Sequence, residues 1–132
     1  MSSTTGFCGR TNKGRGFRIT FANGWGVSVQ WGAYDYCASS EDEVTEESAT
    51  AEIAVFTPDD EMLSYTARDD YDPSWETHNV GIADGNDVLG WLTPSEVLRA
   101  MSCVANFHRR QTAQEAITEF RKDFYKDYSS QY

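Results

Sequence analysis

Arg99, Asn106 and Arg110 stand at i, i+7 and i+11. In a continuous helix that spacing returns each of them to one polar stripe. Two guanidinium groups on such a stripe, with Arg109 and His108 beside them, offer planar paired donors of the kind that hold a phosphate. Trp91, just before the same helix, adds an aromatic face on which a base could stack. The candidate ligand-binding set is therefore Arg99, Asn106, Arg109, Arg110 and Trp91. The plainer reading is that cations near a helix C-terminus complement its dipole.

A second constellation is acidic. Residues 39–76 carry thirteen acidic side chains against the single cation Arg68, so this stretch, at −12, holds the excess negative charge of a chain whose total is −10. Glu41, Asp42, Glu43, Glu46 and Glu47 crowd one segment, and Trp75 sits in a second acidic stretch. Such a field would steer the chain toward a basic surface, so these six residues are the candidate partner contacts. A solvated acidic loop is the commoner meaning of a charge block.

Other chemistries lack their residues. His78 and His108 lie thirty positions apart, and neither has a cysteine at ligand spacing, so no metal pattern forms. Asp84-Gly-Asn-Asp87 and Asp69-Asp-Tyr-Asp72 do not follow the alternating ligand order of a calcium loop. Gly6-x-x-Gly9 and Gly14-Arg15-Gly16 lack the strand and the Lys-Ser/Thr ending of a phosphate loop, and no Gly-x-Ser-x-Gly is present. Cys8, Cys37 and Cys103 are odd in number and irregularly spaced, which predicts reduced thiols rather than a disulfide framework. The expectation is a protein with no catalytic residues, no metal and no cofactor.

The elements that must position these groups are legible in the hydrophobic pattern. Phe17, Ile19 and Phe21 alternate on one predicted strand, and Trp25, Val27, Val29 and Trp31 on the next. A two-residue Asn23-Gly24 turn would put the two stripes on opposite faces. A three-residue Ala22-Asn23-Gly24 loop pairs Phe21 with Trp25 and Ile19 with Val27, bringing all the large groups to one face. Burial selects the longer loop, with Gly24 as its left-handed residue. A second hairpin is predicted from strands 51–56 and 62–66 around Thr57-Pro-Asp-Asp-Glu61, followed by short strands at 80–82 and 88–91.

The period then changes. Thr93-Pro-Ser-Glu96 and Thr112-Ala-Gln-Glu115 are capping boxes that open two helices. Val97, Leu98, Met101, Val104 and Ala105 mark the apolar side of the first. Ala113, Ile117, Phe120, Phe124 and Tyr128 mark that of the second. The expected fold is α+β: an antiparallel sheet of two hairpins plus short strands, with two C-terminal helices on one face. Residues 1–15 read as a mobile basic arm, 16–132 as a single domain, and 39–49 and 67–79 as acidic loops. The pattern has no apolar run long enough for a membrane helix or a signal peptide, so the expected place is a cytoplasm.

The segment Phe21-Ala-Asn-Gly-Trp-Gly-Val-Ser-Val-Gln-Trp-Gly32, with Tyr36-Cys37, Ala51-Glu-Ile-Ala-Val55 and Gly90-Trp-Leu-Thr-Pro-Ser-Glu-Val97, resembles a set of small uncharacterised bacteriophage proteins. The shared motifs are a Phe-x-Asn-Gly hairpin, a Val-Ser-Val-Gln strand, an Ala-Glu-Ile-Ala strand and a Thr-Pro-x-Glu-Val helix start. They span roughly residues 17–105 and belong to the scaffold. In architecture the chain is also similar to the phage Thoeris anti-defence sponges, which sequester cyclic nucleotide signals as oligomers. No ligand residue of that family aligns here.

The resemblance implies a phage-encoded anti-defence or host-takeover protein that acts by binding in the infected cell. Its partner would be a small nucleotide-type ligand, held by a homo-oligomer. The alternatives are an acidic inhibitor of a basic host or defence enzyme, presenting carboxylates where DNA phosphates normally lie, and a virion assembly component. Direct DNA binding is disfavoured by the charge, despite the basic segment 10–18.

Overall fold

The computed structural model describes residues 6–8, 16–31, 48–68, 77–83 and 87–129. Among these described residues, seven strands precede two helices: β1 (Gly6–Cys8), β2 (Gly16–Thr20), β3 (Gly26–Gln30), β4 (Ala51–Phe56), β5 (Tyr65–Arg68), β6 (Thr77–Val80), β7 (Val88–Leu92), α1 (Pro94–Ala105) and α2 (Ala113–Ser129). Five strands form one antiparallel sheet in the order β1-β2-β3-β4-β7, and β5 pairs with β6 in a separate two-stranded sheet. The class is α+β.

The β2–β3 hairpin takes the three-residue loop. Ile19 faces Val27 and Phe17 faces Val29. Phe21 N–H donates to the Trp25 carbonyl and Gly24 N–H to the Phe21 carbonyl, both at 2.8 Å. Gly24 has φ +90°, which favours glycine, and a Cβ there would also crowd Cβ of Pro58 at 3.2 Å. This register gathers Val27, Val29, Ile53 and Val55 on one buried face.

The second hairpin departs from expectation. β4 matches residues 51–56, but its return strand is reduced to a bridge between Phe56 and Met62 and one bond from Leu63 N–H to the Val55 carbonyl. The reason is competition for an edge. Ile53 and Ala54 of β4 are already paired with Leu89 and Val88 of β7. The chain after Leu63 therefore leaves the main sheet, and Tyr65–Arg68 pairs with Thr77–Val80 instead. Both ends of the stretch expected as an acidic loop at 67–79 are thus strand, and 69–76 lie outside the described residues.

Both capping boxes form. Thr93 Oγ1 accepts from Glu96 N–H while the Glu96 carboxylate accepts from Thr93 N–H at 2.9 Å, with Pro94 in the first turn. Thr112 and Glu115 repeat the exchange at 3.2 and 3.0 Å. α1 lies on β3, β4 and β7, and α2 packs against α1. Val97, Ala100 and Val104 meet Ile117, Phe120 and Phe124 in a core that also holds Trp25, Leu63 and Ile82. Arg121 ties α2 to the chain after β6, donating to the carbonyls of Gly81 and Ala83 at 2.9 and 3.1 Å.

The hairpin loop and the end of α1 are joined by polar bonds that no local pattern announces. Asn23 Nδ2 donates to the carbonyls of Val104 (3.0 Å), Ala105 (3.2 Å) and Phe107 (2.8 Å). Its Oδ1 accepts from Trp25 N–H, and Trp25 Nε1 donates to the His108 carbonyl. The last turn of a helix leaves carbonyls without intrahelical donors. Here the Asn23 amide joins the backbone N–H of Phe107 on the Val104 carbonyl and donates to those of Ala105 and Phe107, and the edge-on contact of Trp25 with Phe107 seals the joint.

Candidate binding groove

The expected arginine stripe does not assemble. α1 ends at Ala105 and Asn106 is its C-cap, so helical geometry does not carry on to Arg110. Asn106 turns its amide back to the Ser102 carbonyl. Arg109 donates to the Ala22 carbonyl at 2.9 Å and so belongs to the hairpin joint. Arg110 is exposed in the turn, where its N–H meets Nδ1 of His108. Arg99 is half-buried rather than opposite the apolar side, with its guanidinium 5.7 Å from the Phe124 ring centre. The partner candidates Glu41, Asp42, Glu43, Glu46, Glu47 and Trp75 lie outside the described residues.

Trp91 has an unusual backbone geometry. Ala51 pairs with Leu92 and Ile53 with Leu89, so β7 carries one residue more than β4 between the same two rungs. The extra residue makes a bulge at Gly90-Trp91, with Trp91 at φ +60°. A bulky residue in the left-handed region is a true outlier. The indole gains little burial in return, being 57% exposed.

Beyond the bulge the chain turns through Leu92 and Pro94 into α1, and an apolar groove of about 270 Å³ opens there. Its walls include Val29 and Trp31 of the β3 side, Leu92 at the end of β7, and Val97, Leu98 and Met101 of α1. The rest of the lining is small or hydroxylic, from Ser48 to Ala51 and Pro94, and none of the lining side chains is charged. Leu98 is 65% exposed on the rim. Leu98 thus extends the apolar lining of the groove out to solvent, and Trp91, seven residues earlier, is a second exposed apolar side chain.

The sequence pattern puts Leu98 and Met101 on the apolar side of α1 and Trp31 on the inner stripe of the hairpin. Trp31 and Met101 do pack, half-buried, against the core while also lining the groove, whereas Leu98 is exposed on its rim. The missed signal is Ala100. Val97, Ala100 and Val104 are spaced to centre the buried face, which puts Leu98 on its flank. Ala105 is likewise exposed rather than on the apolar side.

A second hollow runs along the outer surface of α2 past Thr112, Glu115, Glu119 and Lys122. It is polar and open. Glu115 there is held below the usual carboxylate range, first by the Thr112 backbone N–H, then by the Thr112 hydroxyl and the His108 charge, against the opposing pull of desolvation. These are capping contacts. Among the described residues, no three His, Cys, Asp or Glu side chains are grouped to hold a metal ion, and no helix is long and apolar enough to cross a membrane. Searches against protein-family models, curated proteins and solved structures find no match to the chain.

Proposed function

We propose that this is a non-catalytic binding protein, of the anti-defence or host-takeover kind implied by its resemblance to small phage proteins, and that it grips its target through the groove between β3 and α1. The observation that carries this reading is the exposed Leu98 on the rim of an uncharged apolar groove, next to a segment that displays Trp91 at a conformational cost. Strain of that kind persists where the surrounding fold imposes it, often at working surfaces.

An uncharged lining suits an apolar or aromatic side chain of a protein target better than a phosphate. The engagement of Arg99 with the Phe124 ring and of Arg109 with the Ala22 carbonyl points the same way. The acidic stretch 39–76 favours a basic target, because complementary fields speed encounter and reject wrong partners. The nucleotide-sequestering version of the reading rests on Trp91 stacking a base.

Methyl-detected NMR of the full chain separates the two. N-acetyl-leucine amide and N-acetyl-tryptophan amide are titrated as side-chain probes, and adenosine monophosphate as the nucleotide probe. Saturable shifts of the Leu92, Leu98 and Met101 methyls with the amino-acid amides support the protein-target reading. Shifts with the nucleotide alone favour sequestration. Shifts with neither, or shifts scattered away from the groove, remove the groove from the account.

A further inference from the structure

Asn23-Gly24 is the one Asn-Gly pair in the sequence, and the fold demands both residues. Glycine is called for by φ +90°, with Pro58 close by. Asparagine is forced by three carbonyl groups, since an aspartate has no N–H to give them. The lock between hairpin and helix is therefore built from the dipeptide whose side-chain amide is most easily lost in water.

The reaction has fixed requirements. The Gly24 nitrogen attacks Cγ of Asn23, a new C–N bond closes a five-membered succinimide, and the Cγ–Nδ2 bond breaks. Nδ2 leaves as ammonia, taking up the proton lost from the Gly24 nitrogen. A water molecule then opens the ring to aspartate or to its isomer with the chain running through Cγ. The net change is the exchange of one amide and one water for one carboxylic acid and one ammonia.

In the folded protein both reacting groups are occupied. The nucleophile's N–H donates to the Phe21 carbonyl at 2.8 Å. The leaving amide is held by three carbonyls, and its oxygen by Trp25 N–H. We propose that Asn23 is a deamidation site gated by docking of the hairpin loop on α1: closed while docked, open when the loop lifts away, and irreversible once used. A carboxylate at position 23 would face the carbonyl oxygens of Val104, Ala105 and Phe107 with no donor, so a converted molecule cannot re-form those three bonds and docks more weakly. The device records loop opening as a permanent chemical change.

The test is peptide mass spectrometry of the full-length protein, incubated in mildly alkaline buffer with and without denaturing urea. Conversion at Asn23 in the native protein should be about tenfold slower or more, because it must wait for local opening. Arg109→Ala, which removes the bond to the Ala22 carbonyl, should speed native conversion and leave the rate in urea unchanged. The converted protein, and Asn23→Asp as its stand-in, should melt at lower temperature than the parent, more so at neutral pH than in acid. Equal native and urea rates would overturn the gating. An unchanged melting temperature after conversion would overturn the lock.

Discussion

Asn23 and Phe107 lie 84 positions apart in the chain, yet the amide of one donates to the carbonyl of the other at 2.8 Å. The same amide reaches Val104 and Ala105, so one hairpin side chain closes the end of α1. The first hairpin to be legible in the sequence thereby fixes where the helix that walls the groove must stop. Replacing Asn23 by Ala removes the side-chain donor from all three carbonyls, of which Val104 keeps the backbone N–H of Phe107. Urea unfolding should show a loss of about 1–3 kcal/mol, the range for stranding part-buried polar groups.

Trp91 sets stability against display. Its φ of +60° suits glycine, and its side chain is mostly in solvent. Trp91→Gly should therefore raise stability by about 1 kcal/mol, the order of cost of holding a bulky residue in the left-handed region. Calorimetric melting would show this as a higher Tm. A fall in Tm would mean that the indole contributes more by packing than its exposure implies.

The two helix starts should respond alike to loss of their caps. Thr93→Ala and Thr112→Ala should each cost about 1 kcal/mol in urea unfolding. A clearly smaller loss at either site would show that its helix is held by tertiary packing alone.

Glu115 adds a pH dependence of known sign. Its folded-state pKa is lowered, so the unfolded chain binds the proton more readily. The contribution is complete above the unfolded value and fades as pH falls through the folded one. Comparing Tm across the acid range, the parent should lose stability relative to Glu115→Gln as pH drops. Parallel curves would show that the cap bonds do not depend on charge.

Phe120 is fully buried and stacks on Phe124 at 5.2 Å where α2 meets the core. Phe120→Ala should cost about 3–5 kcal/mol, the usual penalty for emptying an aromatic site. The measurement is again urea unfolding, and a loss below that range would indicate that the core collapses into the space.

What the sequence made legible was local. Ala22-Asn23-Gly24 announced the hairpin register because only that loop aligns Phe17 and Ile19 with Val29 and Val27. Thr93-x-x-Glu96 and Thr112-x-x-Glu115 announced the helix starts because each box is completed within four residues. What it hid was competition between distant segments. Residues 62–66 carry a strand pattern, but β7 already occupies most of the edge of β4. Arg99, Asn106 and Arg110 share a helical spacing, but Asn23 and the C-cap end the helix before the third can join. Leu98 carries the same apolar character as Val97, and it is the small Ala100 at the centre of the buried face that conceals which of the two is buried and which displayed.

The most direct test of binding through the groove is photo-crosslinking in the expressing host, with a photoreactive phenylalanine at Leu98 and, as a control on the exposed outer surface of α2, at Gln114. Binding through the groove should give discrete covalent adducts from position 98, lost when Met101→Asp is added, and none from position 114. Equal labelling from both positions, or none from position 98, would contradict it.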